Sequence, residues 1–498
     1  MKSLIFVPKF FRANKSWGQT LVKNTLWASL SDGVVRILKV TTVVIMVRYL
    51  GPKGYGAFAF AFAYVTLLAN IFDSGLLVLA TREFSVKREN EELFSDIMTL
   101  KGIVGILGTL IGVLGMFLVS NDTTIMAMIF VLLIYIFSIE LCNLFFAIFR
   151  GRQRMEYETV GRAIQAILQI LGVVAVLLVV PSGLGVSFAY VGSGLLSLGL
   201  MWAIFRMRGW QIGFRLRWNV LKKLLRLAIP LGLAGVMYSI YMNIDSVILG
   251  YMGKIIEVGW YNAAVKTTYG VVLVPITWAG VAILPSFSSM LTDTKDTFKK
   301  RWNSWTGGMI IIGGYLTMLV LVSADQLVNS FFGASFGPSI LAMRIIALAA
   351  MIMYLYLPYF HALIIFQKQK QLFWGMSAGA VVNVVMNVIL IPHYGLYGAA
   401  WATIGTHLVI MAALFFFAAK YTPLKPINGV FGTALFSTAI SALPAGLAMI
   451  ATRSSIWISI PLGIGVFVGC VLVSNKVCGA LWPESTLIPK NWLRSIHR

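Results

Sequence analysis

Charge is scarce in this chain, and acid is scarcer than base: 11% of its 498 residues are charged, with 17 Asp and Glu against 40 Lys and Arg. At 59% hydrophobic residues and a mean hydropathy of +0.86, it lacks the polar surface a soluble protein needs. Its three cysteines, Cys142, Cys470 and Cys478, have no metal-ligand spacing and make no disulfide framework. No small-residue cleavage site follows the first apolar run, so a cleaved signal is not expected. Little chain is left over for a soluble catalytic domain, and no cofactor is expected.

What the chain has instead is long apolar runs. A bilayer-crossing helix takes roughly 20 mostly apolar residues, and such runs recur almost end to end. They predict an all-α polytopic membrane protein with spans near 24–48, 54–80, 98–119, 124–148, 160–180, 184–205, 227–250, 259–284, 305–323, 339–366, 372–391, 395–419, 428–450 and 456–475. Thirty of the 40 basic residues fall in the two tails and the even-numbered loops. Four, Arg48, Lys53, Lys254 and Arg453, fall in the odd-numbered loops. This positive-inside pattern predicts both ends in the cytoplasm of a cell inner membrane. It also gives the net charge of +23 a membrane explanation, so nucleic acid is not expected as a partner. The basic, aromatic stretch 4–17 reads as either an interfacial segment or plain disorder.

Two stretches echo each other about 200 residues apart. Arg48-Tyr49-Leu50-Gly51-Pro52-Lys53-Gly54-Tyr55-Gly56 joins the first two spans, and Gly250-Tyr251-Met252-Gly253 with Val258-Gly259-Trp260-Tyr261 joins the seventh and eighth. FFAIFRGRQRM at 145–155 after the fourth span is matched by FHALIIFQKQK at 360–370 after the tenth. The expected organisation is a basic N-terminal segment 1–23, an N-lobe 24–205, a basic linker 206–226, a C-lobe 227–419, an extra helix pair 428–475 and a cytoplasmic tail 476–498. Parallel repeats of this kind put a substrate path between the halves.

Charges inside spans are costly, about 2.5–3.5 kcal/mol each at the bilayer centre on the lenient scale. The spans hold Arg36, Lys39, Lys101, Arg162, Lys266 and Arg344, with Asp32, Asp73, Glu140 and Asp245. Lys101 and Glu140, near helix ends, are expected to snorkel. Asp32, Arg36 and Lys39 share a face at i, i+4 and i+7, as do Arg162, Gln165 and Gln169, while Tyr238, Tyr241 and Asp245 line a third stripe. Lys266 pairs in register with Asn262, and Asn383 with Asn387. The stripes fit a hydrated cavity: Arg and Lys suit phosphate or pyrophosphate, and Tyr, Gln and Asn suit sugar hydroxyls. A structural salt bridge between Asp32 and Arg36 stays open, and so does plain interhelical hydrogen bonding for the amides. Asp245, Asp73 and Asp32 are the candidates for a coupling H+ or Na+. Asp73 also reads as a helix cap before Ser74-Gly75.

The turn motifs, together with Asn24-Thr25-Leu26-Trp27, Asp73-Ser74-Gly75-Leu76, Ile229-Pro230-Leu231, Asp245-Ser246-Val247-Ile248-Leu249-Gly250, Asn262-Ala263-Ala264 and Leu284-Pro285, resemble the Wzx-type polysaccharide transporter family of the multidrug/oligosaccharidyl-lipid/polysaccharide (MOP) superfamily. The resemblance implies two pseudo-symmetric six-helix bundles in a V around a central cavity. It implies flipping of undecaprenyl-pyrophosphate-linked oligosaccharide by ion-coupled alternating access, beside membrane lipids and polymerase or assembly proteins. A drug/cation antiporter or lipid II flippase of the same superfamily is the near alternative. A membrane polymerase or ligase is the distant one: the outer loops are short, the longest near 323–338, and His393 has no carboxylate close in sequence.

Overall fold

The computed structural model describes residues 17–73, 75–86, 91–207, 213–289, 294–452 and 456–481. The tail beyond 481, and nearly all of the 4–17 stretch expected at the membrane surface, lie outside the described residues. Among those described there is no strand. The helices are α1 (Trp17–Asp73), α2 (Leu76–Val86), α3 (Glu91–Val119), α4 (Thr123–Gly151), α5 (Met155–Val179), α6 (Gly183–Met207) and α7 (Trp218–Tyr251). They continue with α8 (Ile255–Ser289), α9 (Lys295–Leu327), α10 (Ser339–Ile365), α11 (Gln369–Tyr394), α12 (Leu396–Tyr421), α13 (Gly429–Ala451) and α14 (Ile456–Leu481). Nine of these, among the described residues, are long and apolar enough to cross a bilayer. The other expected spans fall in α1, which holds 24–48 and most of 54–80, and in α7, α8 and α14; the end of 54–80 is a separate short helix, α2. The chain is a polytopic all-α membrane protein.

α1 is two helices joined at Gly51, whose φ of 64° and ψ of −179° break the helical path. A side chain there would meet steric strain, and Pro52 restarts the helix where a missing N–H costs nothing. Asp122 caps α4 through the amides of Thr124 (2.8 Å) and Ile125 (3.2 Å), and Asn428 caps α13 through Phe431 N (2.9 Å).

α3, α7 and α9 begin 7–10 residues before their expected spans, at Glu91, Trp218 and Lys295. The apolar pattern marks only the lipid-facing part, whereas Lys, Arg and Glu continue a helix into water. The outer loop expected at 323–338 is mostly structured: α9 runs to Leu327, a π turn covers Val328–Phe332 and a 3₁₀ turn Ala334–Phe336. His393, expected in a tight turn, lies in the last turn of α11 and is exposed.

Packing divides the chain into two compact units, 1–259 and 260–498. In the first, α1 packs on α4, α5 and α7, and α4 and α5 both pack on α6. Its core includes stacked and edge-on rings of Phe94, Phe145, Phe149 and Phe205. In the second, α10 lies between α9 and α12, α12 packs on α11, and α13 joins α9 to α14. This division follows contacts and falls inside α8, whereas the expected lobe boundary at 206–226 follows sequence repetition. Large apolar side chains such as Leu114, Phe117, Leu118, Leu178 and Leu443 stand exposed on the helices, as lipid-facing residues do.

The sequence echo has a backbone counterpart. Gln153 and Gln367 both adopt φ 57°. After α4, the amides of Arg152, Gln153 and Arg154 donate to the carbonyls of Ile148, Arg150 and Phe149. After α10, those of Phe366, Gln367 and Lys368 donate to Ala362, Ile364 and Leu363, in the same pattern. The α7–α8 corner at Gly253 closes in the same way, with Lys254 N donating to Leu249 O at 3.1 Å.

Candidate functional site

Several membrane charges of the first unit are gathered into ion pairs. The largest correction concerns Lys101 and Glu140, expected to snorkel. Lys101 is 1% exposed, and its Nζ lies 3.0 Å from Asp73 Oδ1 and 2.9 Å from Glu140 Oε2. Glu140 Oε1 also accepts from Asn143 Nδ2 at 3.2 Å. Three helices, α1, α3 and α4, thereby share one ammonium, which removes the need to reach for the interface. Asp73 Oδ1 accepts from Leu77 N at 3.1 Å as well, so the capping geometry is present. Its basic neighbour comes from α3, 28 residues away, where helical spacing could not reveal it.

Beyond the C-terminal end of α4, Glu158 of α5 takes two guanidiniums. Arg150 Nη2 lies 2.5 Å and Arg162 Nε 3.0 Å from its Oε1. Arg162 also lies over the Phe146 ring, 5.1 Å from its centroid. Gln169, on the same stripe, is buried near the Tyr190 hydroxyl. Gln165 is half-buried with no hydrogen bond among the described residues. Arg36 is partly buried and within electrostatic reach of Tyr238; Lys39 is exposed; both have interactions within the protein. The side chain of Asp32 lies outside the described ones. On α7, Tyr241 and Asp245 are buried and engaged, while Tyr238 on the same stripe is 51% exposed. The linker before α7 is pinned to α3: Arg215 N donates to Thr99 Oγ1 (2.8 Å), and Arg217 pairs with Asp96 and Glu92. These bonds hold the Arg217 guanidinium above its ordinary pKa, Asp96 contributing most.

The buried polar groups of the second unit are neutral. His407 on α12 is fully buried between two tyrosines, with Tyr356 Oη 3.0 Å from Nδ1 and Tyr269 Oη 3.3 Å from Nε2. Tyr261 Oη and Thr403 Oγ1 are 3.3 Å apart. On α11, Asn387 Nδ2 donates to Asn383 O at 2.9 Å, and the fully buried amide of Asn383 has no partner among the described residues. Arg344 pairs with Asp325 at 2.8 Å and donates to Leu321 O, near the C-terminal end of α9. Lys266 is half-buried on α8 and has no ion pair or hydrogen bond among the described residues. No group of His, Cys, Asp and Glu among the described residues could hold a metal.

Sequence reasoning missed three partners. Glu158 sits at i−4 from Arg162 and was visible as a helical pair. Asp325 lay just past the expected end of its span. His407 gave no local signal, because its partners are 51 and 138 residues away.

A many-span bundle with corner-joined helices is a fold this chain shares with solved structures. One of lipid II flippase MurJ, inward closed conformation, superposes with a TM-score of 0.75 over 91% of this chain and 99% of that one, at 15% identity. An outward-facing multidrug resistance MATE family transporter gives 0.54 over 82% and 96%, at 16% identity. A relative from Escherichia coli (strain K12), named "Putative O-antigen transporter", is 24% identical over 337 residues, 66% of this chain and 79% of its own. Residues 21–291 match the family model described as polysaccharide biosynthesis protein. The chain belongs to that family, as its turn motifs indicated.

Proposed function

We propose that this protein is a flippase that carries an undecaprenyl-pyrophosphate-linked oligosaccharide from the cytoplasmic to the outer leaflet of the inner membrane by ion-coupled alternating access, its two ends cytoplasmic. The name of the Escherichia coli relative and the family description support this reading. Lys266 carries it on the structural side: a half-buried ammonium on a membrane helix with no acidic partner among the described residues. Such a charge is tolerated where it meets water or an anion, and a lipid pyrophosphate supplies the anion. Arg36 and Lys39 are its proposed companions. Arg162 contributes through a cluster in which two guanidiniums share one carboxylate and stay net positive. Arg344, balanced by Asp325, contributes least. Tyr241, Gln165 and Gln169 are proposed for sugar hydroxyls. Asp245 is the preferred coupling group, because Asp73 is committed to Lys101 and a backbone amide.

The test is transport of lipid-linked oligosaccharide into proteoliposomes. Lys266→Met is expected to lose at least about tenfold in rate, with Lys266→Arg recovering part of it. Wild-type rates for Lys266→Met would overturn the assignment. Asp245→Asn is expected to abolish stimulation by an imposed H+ or Na+ gradient. Lipid II and a cationic dye in the same assay separate the two nearest superfamily alternatives.

A further inference from the structure

The helix α2 presents Val78, Thr81, Arg82 and Ser85 at i, i+3, i+4 and i+7, one face of a short helix. The α4–α5 corner lies against that face. Gly151 makes the approach possible: a Cβ there would stand 2.9 Å from Thr81 O and 2.9 Å from Phe84 Cβ. Between them is an open groove of about 400 Å³, whose far wall is Arg150, Gly151 and Gln153.

The lining holds two guanidiniums and no carboxylate. Arg82 is exposed and makes no ion pair among the described residues. Arg150 shares Glu158 with Arg162, so that cluster adds a net positive charge to the wall. The hydroxyls of Thr81 and Ser85 donate to the carbonyls of Leu77 (2.8 Å) and Arg82 (2.6 Å), and with Gln153 they keep the floor polar and uncharged. Val78, 54% exposed, adds an apolar edge. Both flanking loops belong to the basic set that the charge distribution assigns to the cytoplasmic leaflet. Basic pockets between membrane helices on that side suit lipid phosphates, and guanidiniums bind phosphate oxygens in pairs.

We propose that this groove binds the phosphate of an anionic membrane lipid. The ligand chemistry, a phosphate ester with net negative charge, is shared by phospholipid headgroups, isoprenyl phosphates and free phosphate. The apolar edge and the position at the membrane boundary favour the lipid. The inference goes beyond the transport reading and requires neither its substrate nor its coupling ion.

Native mass spectrometry of the purified full chain tests it, with phosphatidylglycerol, phosphatidylcholine and inorganic phosphate titrated separately. Phosphatidylglycerol is expected to bind more tightly than phosphatidylcholine. Its affinity should fall about tenfold in Arg82→Gln, the loss of one charge-assisted contact, and further in Ser85→Asp. Lys223→Gln, on the exposed start of α7, should bind as the wild type does. Equal phosphatidylglycerol binding by wild type, Arg82→Gln and Ser85→Asp would overturn the site. Displacement of phosphatidylglycerol by an equal concentration of inorganic phosphate would overturn the lipid assignment. Lys266→Met, run alongside, should lose transport and keep lipid binding, so the two proposals fail separately.

Discussion

The two units handle polarity inside an apolar bundle in opposite ways. The first buries charge and pairs it with opposite charge, in Lys101 with Asp73 and Glu140, and in Glu158 with Arg150 and Arg162. The second buries neutral groups that exchange single hydrogen bonds, as in Tyr269–His407–Tyr356 and Tyr261–Thr403. Desolvating an ion costs several kcal/mol even after relaxation, so a buried pair depends strongly on both partners staying in place. A neutral hydrogen bond contributes about 0.5–1.5 kcal/mol and tolerates rearrangement better. The first unit should therefore be the stiffer scaffold, and the second the one whose polar contacts can be remade at low cost.

Substitutions can break that contrast. Lys101→Met strands two carboxylates in the interior and should cost about 3–5 kcal/mol, read as a loss of thermal stability in detergent. Adding Asp73→Asn and Glu140→Gln should restore most of it. If the single variant melts with the wild type, the first unit owes nothing to the triad. Next in size, His407→Phe removes the hydrogen bonds to Tyr356 and Tyr269 and should cost about 1–3 kcal/mol. A cost for His407→Phe above that for Lys101→Met would invert the comparison. Gly259→Ala should cost about 1–3 kcal/mol by overpacking, since a Cβ there would overlap Pro52 O, just as one on Gly56 would overlap Ile255 O. Arg344→Met removes a half-exposed pair and should cost no more than about 1 kcal/mol.

The helices were legible because lipid and sequence speak the same language: each expected span falls on one helix except 54–80, which is divided between α1 and α2, and most other errors sit at polar ends where hydropathy is silent. The corners were legible through repeated residues, and Gln153 and Gln367 share a backbone shape that neither residue type would suggest alone. The pairing of charges was not. Periodicity reports which residues share a face of one helix, so it found Asp32 with Arg36 as a possible pair and could have found Arg162 with Glu158. It could not find Lys101 with Asp73 and Glu140, which requires knowing that α1, α3 and α4 meet. From sequence, Lys101 is expected to snorkel and Arg162 to join a polar stripe with Gln165 and Gln169. One is enclosed by carboxylates, and the other shares a single carboxylate with Arg150 beside an aromatic ring.

The pinned linker has a mechanical corollary. Gly213 N reaches Ser95 Oγ, Arg215 N reaches Thr99 Oγ1, and Arg217 grips Asp96, so the stem of α7 is stapled along about one turn of α3. A tug on that stem is delivered to its neighbour before it bends anything else. Amide hydrogens in 213–217 and in the opening turns of α3 should accordingly exchange together, and Arg217→Gln should speed both by the same factor.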